Sequence, residues 1–296
     1  MRSMKYTNGD DFICLEDIRE ESSELSLVHV GRERCKPYHA FSGEREEYIL
    51  HFVLSGQGFF SMDGNTWALS AGMMFLIRPH KSVVYCADRN EPWQYAWVGL
   101  SGSRVEHILR QCGFSLDVPV RSAPPSEKLL PLIDRMLSQN STRYEDTLLR
   151  EGLVLHLLAL LCRHWRTSAG NQGVGREYNP YVSKAIHYIS RSLDKGITVE
   201  DIADHLGISR THLNSLFRKE LNRTTQQFLM DLRLQRSAYL LANTELSVKE
   251  IAGQIGYTDA LVFSKAFKRK YGLSPTNYRL YRVQMETRES RDDEWE

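Results

Sequence analysis

No run of this sequence is apolar for long enough to cross a bilayer. The longest candidate, Gly152 to Cys162, lies between Arg150-Glu151 and Arg163-His164 and falls well short of the roughly 20 residues a membrane helix needs. The start of the chain lacks the basic-then-apolar order of a secretory leader, so a cytoplasmic protein with no membrane partner is expected. Cysteine is sparse. Cys14, Cys35, Cys86, Cys112 and Cys162 are odd in number, far apart and in no CxxC pair, which argues against a disulfide framework and against a zinc site. The histidines at 29, 39, 51 and 80 form no HxH run of the kind that gathers a catalytic metal. Phosphate loops and nucleophile elbows are missing too. These absences predict no catalytic residue, no metal and no cofactor, and hence no enzyme.

Net charge is also nearly absent, +1 over 296 residues, but it is unevenly placed. Residues 180–285 carry 16 Lys+Arg against 9 Asp+Glu, a balance of +7, while residues 1–179 carry 20 against 22 and the tail 286–296 carries 2 against 6. Only the first of these has the balance of a polyanion binder. With 42% hydrophobic and 25% charged residues, the chain is ordinary globular material for about two domains.

What is present is a repeat. Thr198-Val-Glu-Asp201 reads as a helix start, Ile202, Ala203 and Leu206 follow at helical spacing, Gly207-Ile-Ser209 breaks the helix, and a second helix carries Leu213, Leu216 and Phe217. Some 50 residues on, Ser247-Val-Lys-Glu250 is a capping box, Ile251, Ala252 and Ile255 repeat the apolar face, Gly256-Tyr-Thr258 makes the break, and Phe263, Ala266 and Phe267 repeat the second helix. A glycine between two amphipathic helices permits the steep crossing of a helix-turn-helix, whose second helix enters a DNA major groove. Between the copies, Leu232, Leu234, Ala238, Leu240 and Leu241 mark a longer helix. The bland alternative is a helical bundle with a solvated charged rim. Two copies in register, each ending basic, weigh against it.

On the first recognition helix, about Ser209 to Lys219, the outward residues are Arg210, Thr211, His212, Asn214, Ser215 and Arg218. Asn214 is suited to an adenine edge, His212 to a guanine or a phosphate, and Thr211 to a thymine methyl. The second helix presents Asp259, Ala260, Leu261, Ser264 and Lys265. Its binding is expected to come more from phosphates, through Lys265, Lys268 and Arg269, than from base edges.

These residues carry a resemblance. Thr198–Phe217, the linking Arg233-Leu, and Ile255-Gly-Tyr257 through Tyr271-Gly-Leu-Ser-Pro275 to Tyr278-Arg279 resemble the two-motif DNA-binding domain of the arabinose-regulator (AraC) family of bacterial transcription factors, over about a hundred residues. The first copy departs from the pattern with Asn222-Arg-Thr-Thr225 in place of Gly-Leu-Ser-Pro. Asn tolerates left-handed geometry, so the turn is expected to survive.

Residues 1–24 are polar and weakly periodic and read as an arm or frayed terminus. From Glu47 the pattern becomes strands: Tyr48–Leu54, a turn at Ser55–Gly58, Phe59-Phe60, a hairpin signal at Asp63-Gly64, Trp67–Leu69, Met74–Ile77, Val83–Tyr85 and Trp93–Leu100. A small antiparallel barrel or jelly roll is expected, whose mouth commonly holds a small ligand. Residues 28–102 resemble the effector-binding cupin barrel of sugar-responsive members of the same family, through Gly31-x-Glu33-x-Cys35-x-Pro37-x-His39, Leu50-His51 to Gly58, and Pro92-Trp-x-Tyr-x-Trp97. A sugar needs a flat aromatic face and in-plane hydroxyl partners, and alternation puts Trp93, Tyr95 and Trp97 on one side of a strand. The resemblance makes Trp97 the stacking platform and Tyr85 and Tyr95 its hydroxyl partners, although the arabinose regulator has a histidine in place of Tyr95. Glu33 and His39 are candidates to add a carboxylate and an imidazole, with Val28–His39 closing over the ligand. His51 reads either as a ligand contact or as a satisfied core group, and the aromatics themselves either as a wall or as core.

Residues 103–112, 126–139 and 145–165 read as helices. The stripe Leu148, Leu149, Leu153, Leu157, Leu158 and Leu161 is wide enough for intrachain packing and for a helix of a second subunit; a homodimer is what the resemblance implies. The expected architecture is α+β in two domains: a cupin-like effector and dimerisation domain at 1–166, a linker at 167–178, an all-α double helix-turn-helix domain at 179–285 and an acidic tail at 286–296. The resulting expectation is a sequence-specific DNA-binding regulator of carbohydrate-utilisation genes, gated by a sugar or glycoside. The resemblance implies activation, with RNA polymerase as a further partner. The alternatives are a cupin sugar-modifying enzyme with a DNA-binding tail, and a regulator whose barrel is purely structural.

Overall fold

The computed structural model describes residues 3–18, 24–112, 114, 119–167 and 178–280. Two compact units are present: one holds the chain up to His39 and Glu44–Tyr178, the other Ala40–Gly43 and the chain from Asn179.

Alternating short apolar segments and Gly or Pro turns build the first unit. Its strands are β1 (Ser3–Asn8), β2 (Phe12–Ile18), β3 (Ser26–Arg34), β5 (Tyr48–Ser55), β6 (Gln57–Met62), β7 (Asn65–Ser70), β8 (Met73–Ile77), β9 (Val83–Ala87), β10 (Gln94–Ser101) and β11 (Val120–Ser122), while β4 (Ala40–Gly43) is grouped with the second unit. The strands of this unit form a seven-stranded sheet, β1-β2-β3-β10-β5-β8-β11, and a second sheet in which β9, β6 and β7 are neighbours in that order. Asp63 and Gly64 both take positive φ at the β6–β7 hairpin, as the two central residues of a type I′ turn must. Period-two alternation divides β10: Ala96, Val98 and Leu100 join a core formed with the helices, while Tyr95 and Trp97 are buried outside that cluster.

Those helices are α1 (Val105–Gln111), α2 (Ser126–Ser138) and α3 (Tyr144–Thr167), close to the expected spans. On α3, Leu153, Leu157, Leu158 and Leu161 enter the sheet core, whereas Leu148, Leu149 and Leu155 are exposed. The broad leucine stripe thus has two faces with different fates. No helix among the described residues is long and apolar enough to cross a membrane.

Three expectations need correction. The first residues are not an arm: β1 and β2 form an antiparallel hairpin that extends the sheet through β3, and Cys14 and Leu15 are buried. An edge hairpin can be this polar because only one of its faces meets the core. Second, residues 28–34 cannot close over a ligand, because β3 is hydrogen-bonded between β2 and β10. Third, Cys112 and Cys162, fifty residues apart, form a disulfide between the end of α1 and α3; distance along the chain says nothing of proximity once two helices pack. Of the linker expected at 167–178, residues 168–177 lie outside the described residues, as does the acidic tail at 286–296.

The second unit is helical: α4 (Pro180–Ser192), α5 (Val199–Leu206), α6 (Arg210–Leu221), α7 (Thr225–Asn243), α8 (Val248–Gln254) and α9 (Ala260–Tyr271), followed by a helical segment at 275–280. Both repeats begin with capping boxes, Thr198 with Asp201 and Ser247 with Glu250. Gly207 and Gly256 take the left-handed conformation at the breaks, with φ of 65° and 80°. Asn222 does the same after α6, with φ of 54°, so the turn survives the departure from Gly-Leu-Ser-Pro. Each repeat has its own apolar centre. Leu213 and Phe217 are fully buried in the first, with Phe228 of α7 at 5.4 Å from Phe217. In the second, Phe263 and Phe267 pack with Ile251, Ile255 and the later turns of α7.

Candidate functional site

The strand register explains why the aromatic residues meet. Gly31, Trp97, His51 and Phe75 stand opposite one another in turn across β3, β10, β5 and β8, a single row on one face of the sheet. In the other sheet Tyr85 stands opposite Phe60. His51 stacks flat on Phe75 with centroids 4.5 Å apart and lies 5.3 Å from Tyr85, 5.2 Å from Tyr95 and 6.5 Å from Trp97. Trp93 and Trp97 flank Tyr95 at 5.9 and 5.8 Å. Trp97 lies across β3 at Gly31, where a Cβ would come within 2.3 Å of the indole; any other residue there would displace the ring.

Glu33 and His39 join this group from one side. The Tyr95 hydroxyl donates to Glu33 Oε2 at 2.9 Å, and His39 Nε2 lies 3.5 Å from Glu33 Oε1. All seven residues singled out in the sequence, Glu33, His39, His51, Tyr85, Trp93, Tyr95 and Trp97, therefore belong to one connected cluster. The five ring residues from His51 to Trp97 are buried, whereas Glu33 and His39 are partly exposed.

Burial sets the charge state. It holds the His51 imidazole well below its ordinary value, with smaller contributions from His29 and Arg45, so the ring is neutral at pH 7. It also pushes the Tyr85 phenol up to about 12, and raises Tyr95 well above its ordinary value, with Tyr85 and Glu33 adding to the effect. The wall thus offers polar but uncharged groups. His51 Nδ1 is buried without a hydrogen-bond partner, an atom that a hydroxyl could satisfy.

Four neighbours escaped the sequence reading. Phe12 of β2, 5.6 Å from Trp97, was hidden in what looked like an arm. Phe75 was read as strand but not as the stacking partner of His51. Arg45 acts on both His51 and Tyr85, though nothing in its polar stretch marked it. Cys35, with Glu33 and His39, presents three potential metal-ligand atoms within 4.8 Å of one another. A search for HxH runs passes over that Glu-x-Cys-x3-His spacing.

On α6, Arg210, Thr211, His212, Ser215 and Arg218 are exposed, and Arg210 is ion-paired with Glu200. Asn214 differs from its expected role. It is half-buried, and its Oδ1 accepts from the Thr225 backbone N–H at 3.0 Å. Bidentate recognition of adenine needs both the carbonyl and the amide of the side chain, and here the carbonyl is committed to the start of α7. On α9, Lys265, Lys268 and Arg269 are exposed, while Lys270 turns inward to Asp231 at 2.7 Å. Ala260 and Ser264 are half-buried, the Ser264 hydroxyl donating to the Ala260 carbonyl at 2.7 Å. Leu261 is 72% exposed, and Val262, not singled out in the sequence, is 54% exposed.

Both parts of the chain match known protein families. Residues 202–280 match a helix-turn-helix domain family and residues 26–158 an AraC-like ligand-binding domain family. The chain is 33% identical to the Msm operon regulatory protein of Streptococcus mutans over 258 residues, covering 86% of this chain and 92% of that protein. It is 30% identical to the raffinose operon transcriptional regulatory protein RafR of Pediococcus pentosaceus, covering 88% and 96%, and 30% identical to the lactose operon transcription activator of Staphylococcus xylosus, covering 79% and 84%.

Proposed function

This chain belongs to the AraC family of transcription regulators, and from that premise we propose that it activates carbohydrate-utilisation genes when a sugar or glycoside binds among the aromatic residues of its first unit. The observation that carries the reading is the neutral aromatic wall joined to a polar edge. Trp97 supplies a flat face for the C–H side of a sugar ring. Tyr85, Tyr95 and His51 supply uncharged hydrogen-bonding groups, and Glu33 and His39 supply polar groups at the more exposed edge. Relatives named for raffinose and lactose operons support a sugar as the class of effector.

The second unit binds double-stranded promoter DNA through α6 and α9. Arg210, Thr211, His212, Ser215 and Arg218 meet base edges and phosphates from α6, and Lys265, Lys268 and Arg269 meet phosphates from α9, beside Ala260, Leu261 and Ser264. The protein works in the cytoplasm as a homodimer, with the exposed Leu148, Leu149 and Leu155 of α3 covered by a second copy, and it recruits RNA polymerase. Gating is linkage: the sugar shifts DNA occupancy only as far as it prefers one arrangement of the units over another.

A thermal-shift panel of raffinose, lactose, arabinose and xylose against the full chain tests the effector assignment. A true effector at a hundred times its dissociation constant stabilises by about 2.7 kcal/mol, and Trp97→Ala abolishes that shift. A panel in which no saccharide moves the wild-type transition would leave the barrel without this role.

A further inference from the structure

Cys35 has no part in the reading above, yet its surroundings are unlike those of a thiol packed among hydrocarbons. Glu33 is the last residue but one of β3, Cys35 follows two residues on, and His39 closes the next turn, bringing an oxygen, a sulfur and a ring nitrogen within 4.8 Å of one another. The backbone holds all three: Glu33 is paired with Tyr95 and Phe12 in the sheet, Cys35 N–H donates to the Trp93 carbonyl at 3.1 Å, His39 N–H donates to the Lys36 carbonyl at 2.9 Å and the His39 carbonyl accepts from Ala87 N–H at 2.7 Å. Glu33 Oε1 and His39 Nε2 are already 3.5 Å apart. Two donors on one tetrahedral zinc, at bonds of about 2.0–2.2 Å, stand roughly 3.3–3.6 Å apart.

Two neighbours complete the arrangement. The Tyr95 hydroxyl donates to Glu33 Oε2, which orients the carboxylate and leaves Oε1 for a metal, as outer-shell partners commonly do. The indole N–H of the fully buried Trp93 faces the Cys35 sulfur as a hydrogen-bond donor that favours the thiolate. A buried donor of this kind needs an acceptor, and a metal-bound thiolate is one.

The geometry points to a binding site for one divalent transition-metal ion of the zinc class, held by Glu33 Oε1, Cys35 Sγ and His39 Nε2. Thiolate with imidazole selects zinc or cobalt over magnesium and calcium. On binding, the Cys35 S–H bond is lost, its proton passes to solvent, and the sulfur lone pair forms the metal bond. Three protein ligands leave a fourth position for water or for a hydroxyl of a molecule lying against the aromatic wall. The site does not depend on the sugar assignment, since it needs no residue to contact a saccharide.

The test uses the full chain, freed of metal by dialysis against a chelator and titrated with Zn²⁺ alone in competition with a chromophoric chelator. One ion per chain is expected, with affinity falling at least about 100-fold in both Cys35→Ser and His39→Gln and unchanged in His80→Gln, an exposed histidine elsewhere. Loading with Co²⁺ should give a sulfur-to-cobalt charge-transfer band that Cys35→Ser removes. Near-UV circular dichroism checks folding, and if Cys35→Ser misfolds, the partly exposed His39→Gln still decides. No zinc bound, or zinc bound equally well by both ligand variants, overturns the site. The saccharide panel, repeated on the metal-free chain, reports separately on sugar binding.

Discussion

The two helix-turn-helix copies are nearly the same inside and differ outside. Each begins with a capping box, breaks at a left-handed glycine and buries two residues four apart, Leu213 and Phe217 in one, Phe263 and Phe267 in the other. Their outward faces share little. α6 exposes Arg210, Thr211, His212 and Ser215, all polar, whereas the exposed start of α9 is dominated by Leu261 and Val262. The interior states how the copies fold, and the exterior states what each can do on DNA. Polar groups can read base edges, while an apolar pair can meet only methyl groups or sugar carbons.

The largest effects should fall equally on both copies. Phe217→Ala and Phe263→Ala each remove a fully buried ring and should each destabilise the helical unit by about 3–5 kcal/mol, measured by urea denaturation of the full chain followed at helix ellipticity. A large cost in one copy with almost none in the other would break the equivalence of their interiors.

Asn214→Ala comes next. It leaves the Thr225 N–H without its acceptor and should cost about 1–3 kcal/mol of stability, with base preference retained in a randomised-site binding selection. Asn214→Asp keeps an acceptor and should recover most of the loss. Relaxed preference at one operator position with unchanged stability would instead make Asn214 a reader of bases.

Lys268→Ala should weaken binding to all sequences alike and flatten the dependence of log affinity on log salt by about one. Fluorescence anisotropy across a salt series checks this, and a sequence-selective loss would contradict the assignment of α9 to phosphates.

The smallest difference is in the caps. The backbone and hydroxyl of Thr198 hold the Asp201 carboxyl below its ordinary value, and those of Ser247 do the same for Glu250. A lowered folded-state value stabilises above the ordinary titration range, and the contribution is lost as pH falls through the lowered one. The deficit of Glu250→Ala relative to wild type should therefore begin to shrink below about pH 4.3, and that of Asp201→Ala below about pH 3.9. Denaturation midpoints in acid would show the order, and a deficit that grows on acidification would reverse the sign.

The helical unit was legible because both of its signals are local. A capping residue and an i, i+3, i+4 stripe lie within one turn of each other, so Thr198–Phe217 and Ser247–Phe267 declared themselves. The aromatic cluster was legible residue by residue but not as a shape. Alternation placed Tyr95 and Trp97 on one side of a strand, yet the row Gly31, Trp97, His51, Phe75 exists only through the register of four strands far apart in sequence. Non-local packing likewise hid the Cys112–Cys162 bond, whereas the edge hairpin with Phe12 was hidden by its polar composition and the Glu33, Cys35 and His39 donors by a spacing other than HxH. Asn214 is the converse case: its helical position is outward, and its short side chain finds a near partner in the backbone of Thr225 that no helical pattern announces.

The most direct measurement is operator affinity of the full chain with and without the saccharide that gives the largest thermal shift, for wild type and for Trp97→Ala. Coupling through the aromatic cluster predicts a change of roughly 5- to 150-fold in wild type and none in the variant, which should still bind the operator. An affinity that ignores the sugar in wild type, or responds equally in Trp97→Ala, would contradict gating from that site.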